Sequence, residues 1–357
     1  MNTNNGIEII NRLLSNNNYQ KHKIQLTDEE LDLLIYHKLN GNLYNISSKF
    51  ELSAKQKFKL FTEFGNEFIQ HETYKKFLDE LLFKFNEYNI KYIIIKGLSL
   101  FDYYSNSMSR LYNDVDILVD YKDLDIVIKT VKEFGFEFGK IDYKKMELIK
   151  VNRQQILFSK LNTHEIVKLV RKEMENLFIK LDFNFLFQWK GFGNSQIPFD
   201  ELYCHSIKSK QNGYRILIPE YNLLHLCCHF YNETTRFVFA QENLHTDVNE
   251  LKLFRLVDIM LLVNILKNSN KINDFIKITQ NNKMTDPIIF SLKFLLAFFR
   301  ISLPQILQEF ILNNESEQND INIYMKKNGH LSKWDISVYD RAFKLTKKNS
   351  AIKAMSF

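Results

Sequence analysis

Two aspartates one residue apart inside an apolar run most constrain what this chain can fold into. The stretch is "SMSRLYNDVDILVD" (Ser107 to Asp120), and the pair is Asp114 and Asp116. Side chains alternate along a strand, so both aspartates share one face while Val115 and Ile117 take the other. Charge in such a run is unfavourable to bury unless something pairs with it. Upstream, "KYIIIKG" (Lys91 to Gly97) gathers β-branched residues and stops at a glycine, which predicts a buried strand. Downstream, "LFIKLDFNF" predicts another. Leu177, Ile179, Leu181, Phe183 and Phe185 fall on one of its faces. Asp182 falls on the other, with Lys180 and Asn184. If this strand lies beside the first, three carboxylates converge.

Three close carboxylates repel and raise one another's pKa. A divalent cation removes that penalty, and Mg²⁺ favours a few carboxylates together with substrate phosphates and water. Paired metals neutralise a leaving pyrophosphate and activate an attacking oxygen. A D-x-D pair with a third aspartate on a neighbouring strand is therefore a sensible platform for nucleotidyl transfer. The plain alternative is a solvated strand edge.

The flanks read as helices. Gly (10) and Pro (4) are scarce in 357 residues, which leaves few breakers. Thr27 with Glu30 makes a capping box ahead of a helix that Gly41 is expected to stop, and Ser53 with Gln56 repeats the pattern. Phe58, Phe61, Phe64 and Phe68 recur at helical spacing and read as a core-facing stripe. After Gly97, "LSLFDYYSNS" reads as a short helix and loop. Leu124, Ile128, Val131 and Phe134 mark an amphipathic helix ending at Gly135. "EIVKLVRKE" reads as a strand joined to "LFIKLDFNF" by a turn at Met174, Glu175 and Asn176. Helices resume at Pro219, and "NNESEQND" (Asn313 to Asp320) reads as a polar linker or loop. The expected organisation is an N-terminal helical region (1–88), an α/β core (89–215) and a C-terminal helical domain (216–357).

The net charge of +6 permits phosphate or RNA binding without demanding it, because no long basic run stands out. Cys204, Cys227 and Cys228 form no CxxC and read as buried, reduced thiols. "MNTNNGIEIINRLL" lacks a signal-peptide pattern, and the longest apolar runs are too short or interrupted to span a bilayer. A soluble cytoplasmic protein with no membrane partner is expected. His225 and His229 stand at i, i+4 on a helix and read as structural or substrate-contacting rather than zinc ligands. Asp258 is a secondary candidate that pairs with Arg255 or Lys252 or caps the cleft. Arg236, Lys252 and Arg255 read equally as phosphate-facing cations or as a solvated face.

"IIIKGLSLFDYY…MSRLYNDVDILVD" resembles the DNA polymerase β-like nucleotidyltransferase superfamily. More closely, it is similar to a bacterial family of uncharacterised nucleotidyltransferases carrying strand-K-G-x-x-L, then R-x-x-x-D-x-D-x-L-V. Lys96, Gly97, Leu100, Arg110, Asp114, Asp116, Leu118 and Val119 match. "LDFNFLF" resembles that family's third-carboxylate strand, and "LLHLCCHF" and "FRLVDIMLLV" its C-terminal helices. The resemblance implies an α+β fold: a nucleotidyltransferase-type mixed β-sheet core between N- and C-terminal helical regions. It implies Asp114, Asp116 and Asp182 as catalytic metal ligands for Mg²⁺, as two ions, with Mn²⁺ as a substitute. It implies Lys96, Gly97, Ser99 and Arg110 at the nucleotide phosphates. The activity implied is transfer of NMP, AMP from ATP, to a small-molecule, peptide, protein or tRNA acceptor. The rival is an inactive, antitoxin-like regulator on the same fold. Three departures stand out. Leu98 follows Gly97 where the superfamily has Gly or Ser, the gap from Gly97 to Asp114 is longer than in the short version of the motif, and Asn184 stands where the closer family often has His.

Overall fold

The computed structural model describes residues 24–104, 106, 109–110, 112–175, 177–189, 196–236, 251–299, 301–325, 330–334 and 337–343. The opening "MNTNNGIEIINRLL" and Asn176 of the expected turn lie outside the described residues, as does the side chain of Arg236. In chain order come β1 (Ile24–Gln25), α1 (Asp28–Tyr36), α2 (Asn40–Asn45), β2 (Phe50–Glu51) and the long α3 (Ala54–Glu87). The α/β portion follows: β3 (Tyr92–Ile95), β4 (Val115–Val119), α4 (Leu124–Glu133), β5 (Glu137–Asp142), β6 (Glu147–Lys150), α5 (Arg153–Asn162), β7 (Leu169–Met174), β8 (Leu177–Asn184), α6 (Phe199–Cys204), β9 (Ser206–Lys208) and β10 (Arg215–Leu217). Then come α7 (Pro219–Arg236), α8 (Leu253–Asn268), α9 (Ile272–Asn281), α10 (Thr285–Phe298), α11 (Gln305–Asn313), β11 (Ile323–Met325), β12 (Leu331–Lys333) and α12 (Val338–Phe343). The fold is α+β, a mixed sheet with helical regions before and after it. Contacts divide it into two compact units, residues 65–222 and the residues on either side of them.

The first unit carries the eight-stranded sheet in the order β6-β5-β7-β8-β4-β3-β10-β9. β8 runs parallel to β4, and β10 runs parallel to β3. The remaining neighbours are antiparallel. Ile94, Ile117, Val119, Ile179, Leu181 and Phe183 lie at the bottom of the core, each with essentially no exposed surface. α4 packs as its spacing predicts, with Leu124, Val127 and Val131 fully buried. Gly135 takes φ +81° just past that helix, where glycine meets no steric penalty.

The other unit is mostly helical, with Phe230, Phe290, Phe294 and Phe298 packed as a ring cluster. Both capping boxes form: Thr27 Oγ1 accepts from the Glu30 amide, and Ser53 Oγ accepts from that of Gln56. Thr27→Ala is expected to cost this unit about 1 kcal/mol, read from its unfolding midpoint.

Three expectations change. Gly41 sits inside α2; α1 ends earlier, where Lys38 turns the chain at φ 57°. Phe58, Phe61 and Phe68 do not face a core but are 75%, 48% and 41% exposed, while Phe64 stacks on Tyr44 at 3.7 Å. Periodicity shows that the four share a helix face, not that anything covers it. Of the two readings of "NNESEQND" the loop holds: it carries a short 3₁₀ turn, Glu317–Asn319, and the side chain of Asn319 is buried among hydrogen bonds to Asp286, Asn314 and Ser316. Cys204 is exposed, whereas Cys227 and Cys228 are buried free thiols. Burial pushes Cys227 up to about 12.

Candidate active site

The site begins with a register. Asp116 on β4 pairs directly with Asp182 on the parallel β8. Paired residues on adjacent parallel strands point the same way, about 4.8 Å apart. Asp114, two residues before Asp116, shares its parity and lies just ahead of β4. Asp116 and Asp182 are 7% and 5% exposed, so both carboxylates are withdrawn from water.

Lysines hold this charge together. Lys96 Nζ donates to Asp116 Oδ1 at 2.6 Å. Lys168 Nζ donates to Asp114 Oδ2 at 2.7 Å and to Asp182 Oδ2 at 2.5 Å, so one ammonium bridges two carboxylates. Asp114 and Asp182 hold the Lys168 ammonium in its charged form against burial. Burial raises the pKa of Asp182, and the neighbouring charges of Asp116 and Asp114 add to the rise, while Lys168 opposes it.

Lys168 is the residue that sequence reasoning missed. Its signal was present: Leu169 pairs with Leu181, so antiparallel pairing carries Lys168 opposite Asp182. That opposition needs the strand register, which a lone lysine in "EIVKLVRKE" does not disclose. Tyr74 was missed for the same reason. From α3, its buried hydroxyl donates to Asn113 O at 2.9 Å and accepts from the Lys180 amide at 2.7 Å, tying the residue before Asp114 to β8.

The loop after β3 is shaped by Lys96 rather than Gly97. Lys96 adopts φ 56° and ψ −140°, a conformation that costs a non-glycine residue on the order of 1–3 kcal/mol. Gly97 opens a seven-residue 3₁₀ helix, Gly97–Tyr103, in place of an α-helix. A Cβ at Gly97 would sit 3.0 Å from Tyr112 Cβ and 3.9 Å from an Arg110 guanidinium nitrogen. Gly97 therefore lets the loop close on Tyr112 and Arg110. Gly97→Ala is expected to cost about 1–3 kcal/mol by overpacking, measured by thermal unfolding. Arg110 is buried. Ser99 is buried too, and its hydroxyl donates to Lys96 O at 2.6 Å and accepts from Asn222 Nδ2 at 3.2 Å. In this geometry Ser99 braces the loop and is turned inward.

Whether these residues suit a divalent cation is tested by the carboxylates themselves. Among the described residues, no three His, Cys, Asp or Glu side chains are placed so that they could hold a metal ion as they stand. The Lys168 ammonium stands between Asp114 and Asp182 as a cation in its own right. Asp182 Oδ1 is buried without a hydrogen-bond partner, as is Asn184 Oδ1 two residues on. Hard carboxylate oxygens, one of them orphaned, are donors of the kind Mg²⁺ takes, with the Lys168 ammonium as the group an ion would have to displace.

The remaining candidates belong to the helical unit. His225 and His229 stack with ring centroids 6.3 Å apart, and His229 Nε2 lies 3.3 Å from Glu233. Arg255 pairs with the same Glu233, and Lys252 sits over the Tyr36 ring while donating to Tyr36 O at 3.3 Å. Arg255 and Lys252 are thus engaged locally. Asp258 is 1% exposed on α8.

No curated protein matches the chain significantly. The crystal structure of an antigenic nucleotidyltransferase-like protein from Paracoccidioides brasiliensis matches at 11% identity, over 60% of this chain and 91% of that one. The TM-score of that match is 0.25. No described helix is long and apolar enough to cross a membrane. Residues 26–300 match a family model described as uncharacterised nucleotidyltransferase, and the chain belongs to that family.

Proposed function

We propose that the chain is a Mg²⁺-dependent nucleotidyltransferase that moves NMP, AMP from ATP, onto an acceptor and releases pyrophosphate. One observation supports this most: β4 and β8 register Asp116 against Asp182, with Asp114 joined to Asp182 through a single ammonium. Asp114, Asp116 and Asp182 would hold the metal, as two ions, with Mn²⁺ able to substitute. When bound, the metal neutralises charge on the transferring phosphoryl group and the leaving pyrophosphate.

The chain's own residues supply the rest. Lys96 and Arg110, at the β3 end of the site, would meet phosphate oxygens. The Gly97 turn, braced by Ser99, would fix that end. Asp182 would take the proton from the attacking acceptor oxygen.

The test is NTP binding and pyrophosphate release with Mg²⁺, for wild type and Asp114→Asn/Asp116→Asn, across a panel of acceptors. Nucleotide binding that is absent from wild type, or indifferent to both substitutions, overturns catalysis and leaves the regulatory reading. A second measurement addresses Lys168. Its ammonium occupies space between the carboxylates, so Lys168→Ala should bind Mn²⁺ roughly tenfold tighter or more, because a unit charge beside the ion is removed. Titration of free Mn²⁺ by electron paramagnetic resonance reads this directly. Unchanged or weaker affinity would show that Lys168 does not compete with the ion.

A further inference from the structure

A cavity of about 530 Å³ reaches the aspartates through one residue of its lining, Lys168. It is lined by Ile141 of β5, Val170 of β7 and Lys180 of β8, by Lys168 just before β7, and by Glu165 in the segment after α5. Lys168 belongs to both places: it lines the cavity, and its ammonium touches Asp114 and Asp182. We propose that this cavity is the acceptor pocket, and that the acceptor is a small molecule carrying an anionic group. The proposal rests on the nucleotidyltransferase reading above.

Topology supplies the first reason. The strand order β7-β8-β4-β3 puts Lys168, just before β7, and Lys96, just after β3, on opposite sides of the aspartates. In-line displacement needs the attacking oxygen and the leaving pyrophosphate on opposite sides of the phosphorus. With the triphosphate at Lys96 and Arg110, the acceptor approaches from the Lys168 side, where the cavity lies. Size is the second reason, since pockets of about 300–1,000 Å³ suit small molecules rather than a nucleic-acid or protein surface.

Charge is the third. Lys140 and Lys180 line the space against a single acid, Glu165, while the Lys168 ammonium is already paired with Asp114 and Asp182. Lys180 Nζ reaches across to Tyr143 Oη at 3.4 Å, so its ammonium is carried over the cavity from β8 to the end of β5. Such a lining selects a phosphate monoester or a carboxylate, while Ile141 and Val170 accommodate an apolar body. The step balances as follows. The acceptor hydroxyl oxygen bonds to the α-phosphorus. The bond from that phosphorus to the bridging oxygen breaks, pyrophosphate leaves with the electron pair, and the hydroxyl proton passes to Asp182.

Calorimetric titration of the full chain with glycerol 3-phosphate and, separately, malate tests the pocket and distinguishes phosphate from carboxylate. Wild type, Lys140→Glu/Lys180→Glu and Ile141→Trp are compared, with Mg·ATP binding as the control in each. At least one probe should bind wild type, roughly tenfold or more weaker after the charge reversals and with binding lost when Trp fills the space. Mg·ATP affinity should stay within about twofold, which also shows that each variant is folded. Mg·ATP binding without any probe binding, or with probe binding that ignores all these variants, overturns the pocket alone. Probe binding that the variants remove, in a protein that never binds Mg·ATP, upholds the pocket and overturns the transferase reading.

Discussion

Asp116→Asn combined with Asp182→Asn is expected to lower Mg²⁺-dependent pyrophosphate release by at least about 10³-fold, while the protein stays folded. The size follows from what is removed: two adjacent acceptors of positive charge that act only in a dry site, where charge counts most. The fold should survive because Asn is nearly isosteric and keeps an oxygen for Lys96 and Lys168. The lost ion pairing is offset by the relief of burying two carboxylates, which are 7% and 5% exposed. The melting temperature should therefore move by no more than roughly 3 °C. Release that persists above a tenth of the wild-type rate would remove both aspartates from catalysis.

Phe183→Ala is expected to be the most damaging single change to stability, about 3–5 kcal/mol. Phe183 has no exposed surface, pairs with Ile117 across β8 and β4, and lies 6.3 Å from the Phe85 ring. It follows Asp182 directly, so alternation drives the ring into the core and turns the carboxylate to the other face. Packing at Phe183 thereby fixes where Asp182 points. Hydrogen exchange of the β4 and β8 amides reads the loss within this unit. Phe183→Leu, which keeps most of the volume, should cost less than half as much. Equal losses for the two would mean that cavity formation is not the cause.

Much of this was legible in the chain itself. The alternation in "DVDILVD" and "LFIKLDFNF" is a local, period-two signal, and it placed the aspartates opposite the apolar residues without any partner strand. The capping pairs Thr27–Glu30 and Ser53–Gln56 were equally local, since each is made within one turn. The stripe at Phe58, Phe61 and Phe68 misled because helical spacing says which residues share a face but not whether that face is covered. Gly41 misled because a glycine marks a helix end only if the chain has not already turned, and here Lys38 turns it first.

The sequence by itself determined which residue types sit on which faces, because strand and helix periods are properties of the backbone. Only the tertiary structure decided which strands are neighbours. The choice of β8 beside β4, and β7 beside β8, brings Asp182 to Asp116 and Lys168 to Asp182. Those residues are separated by 66 and 14 positions, and pairing at such distances depends on how the whole apolar core closes rather than on any local pattern. The aspartates could be read as a pair from the chain, but the lysine that bridges two of the three carboxylates could be found only once the sheet had set its register.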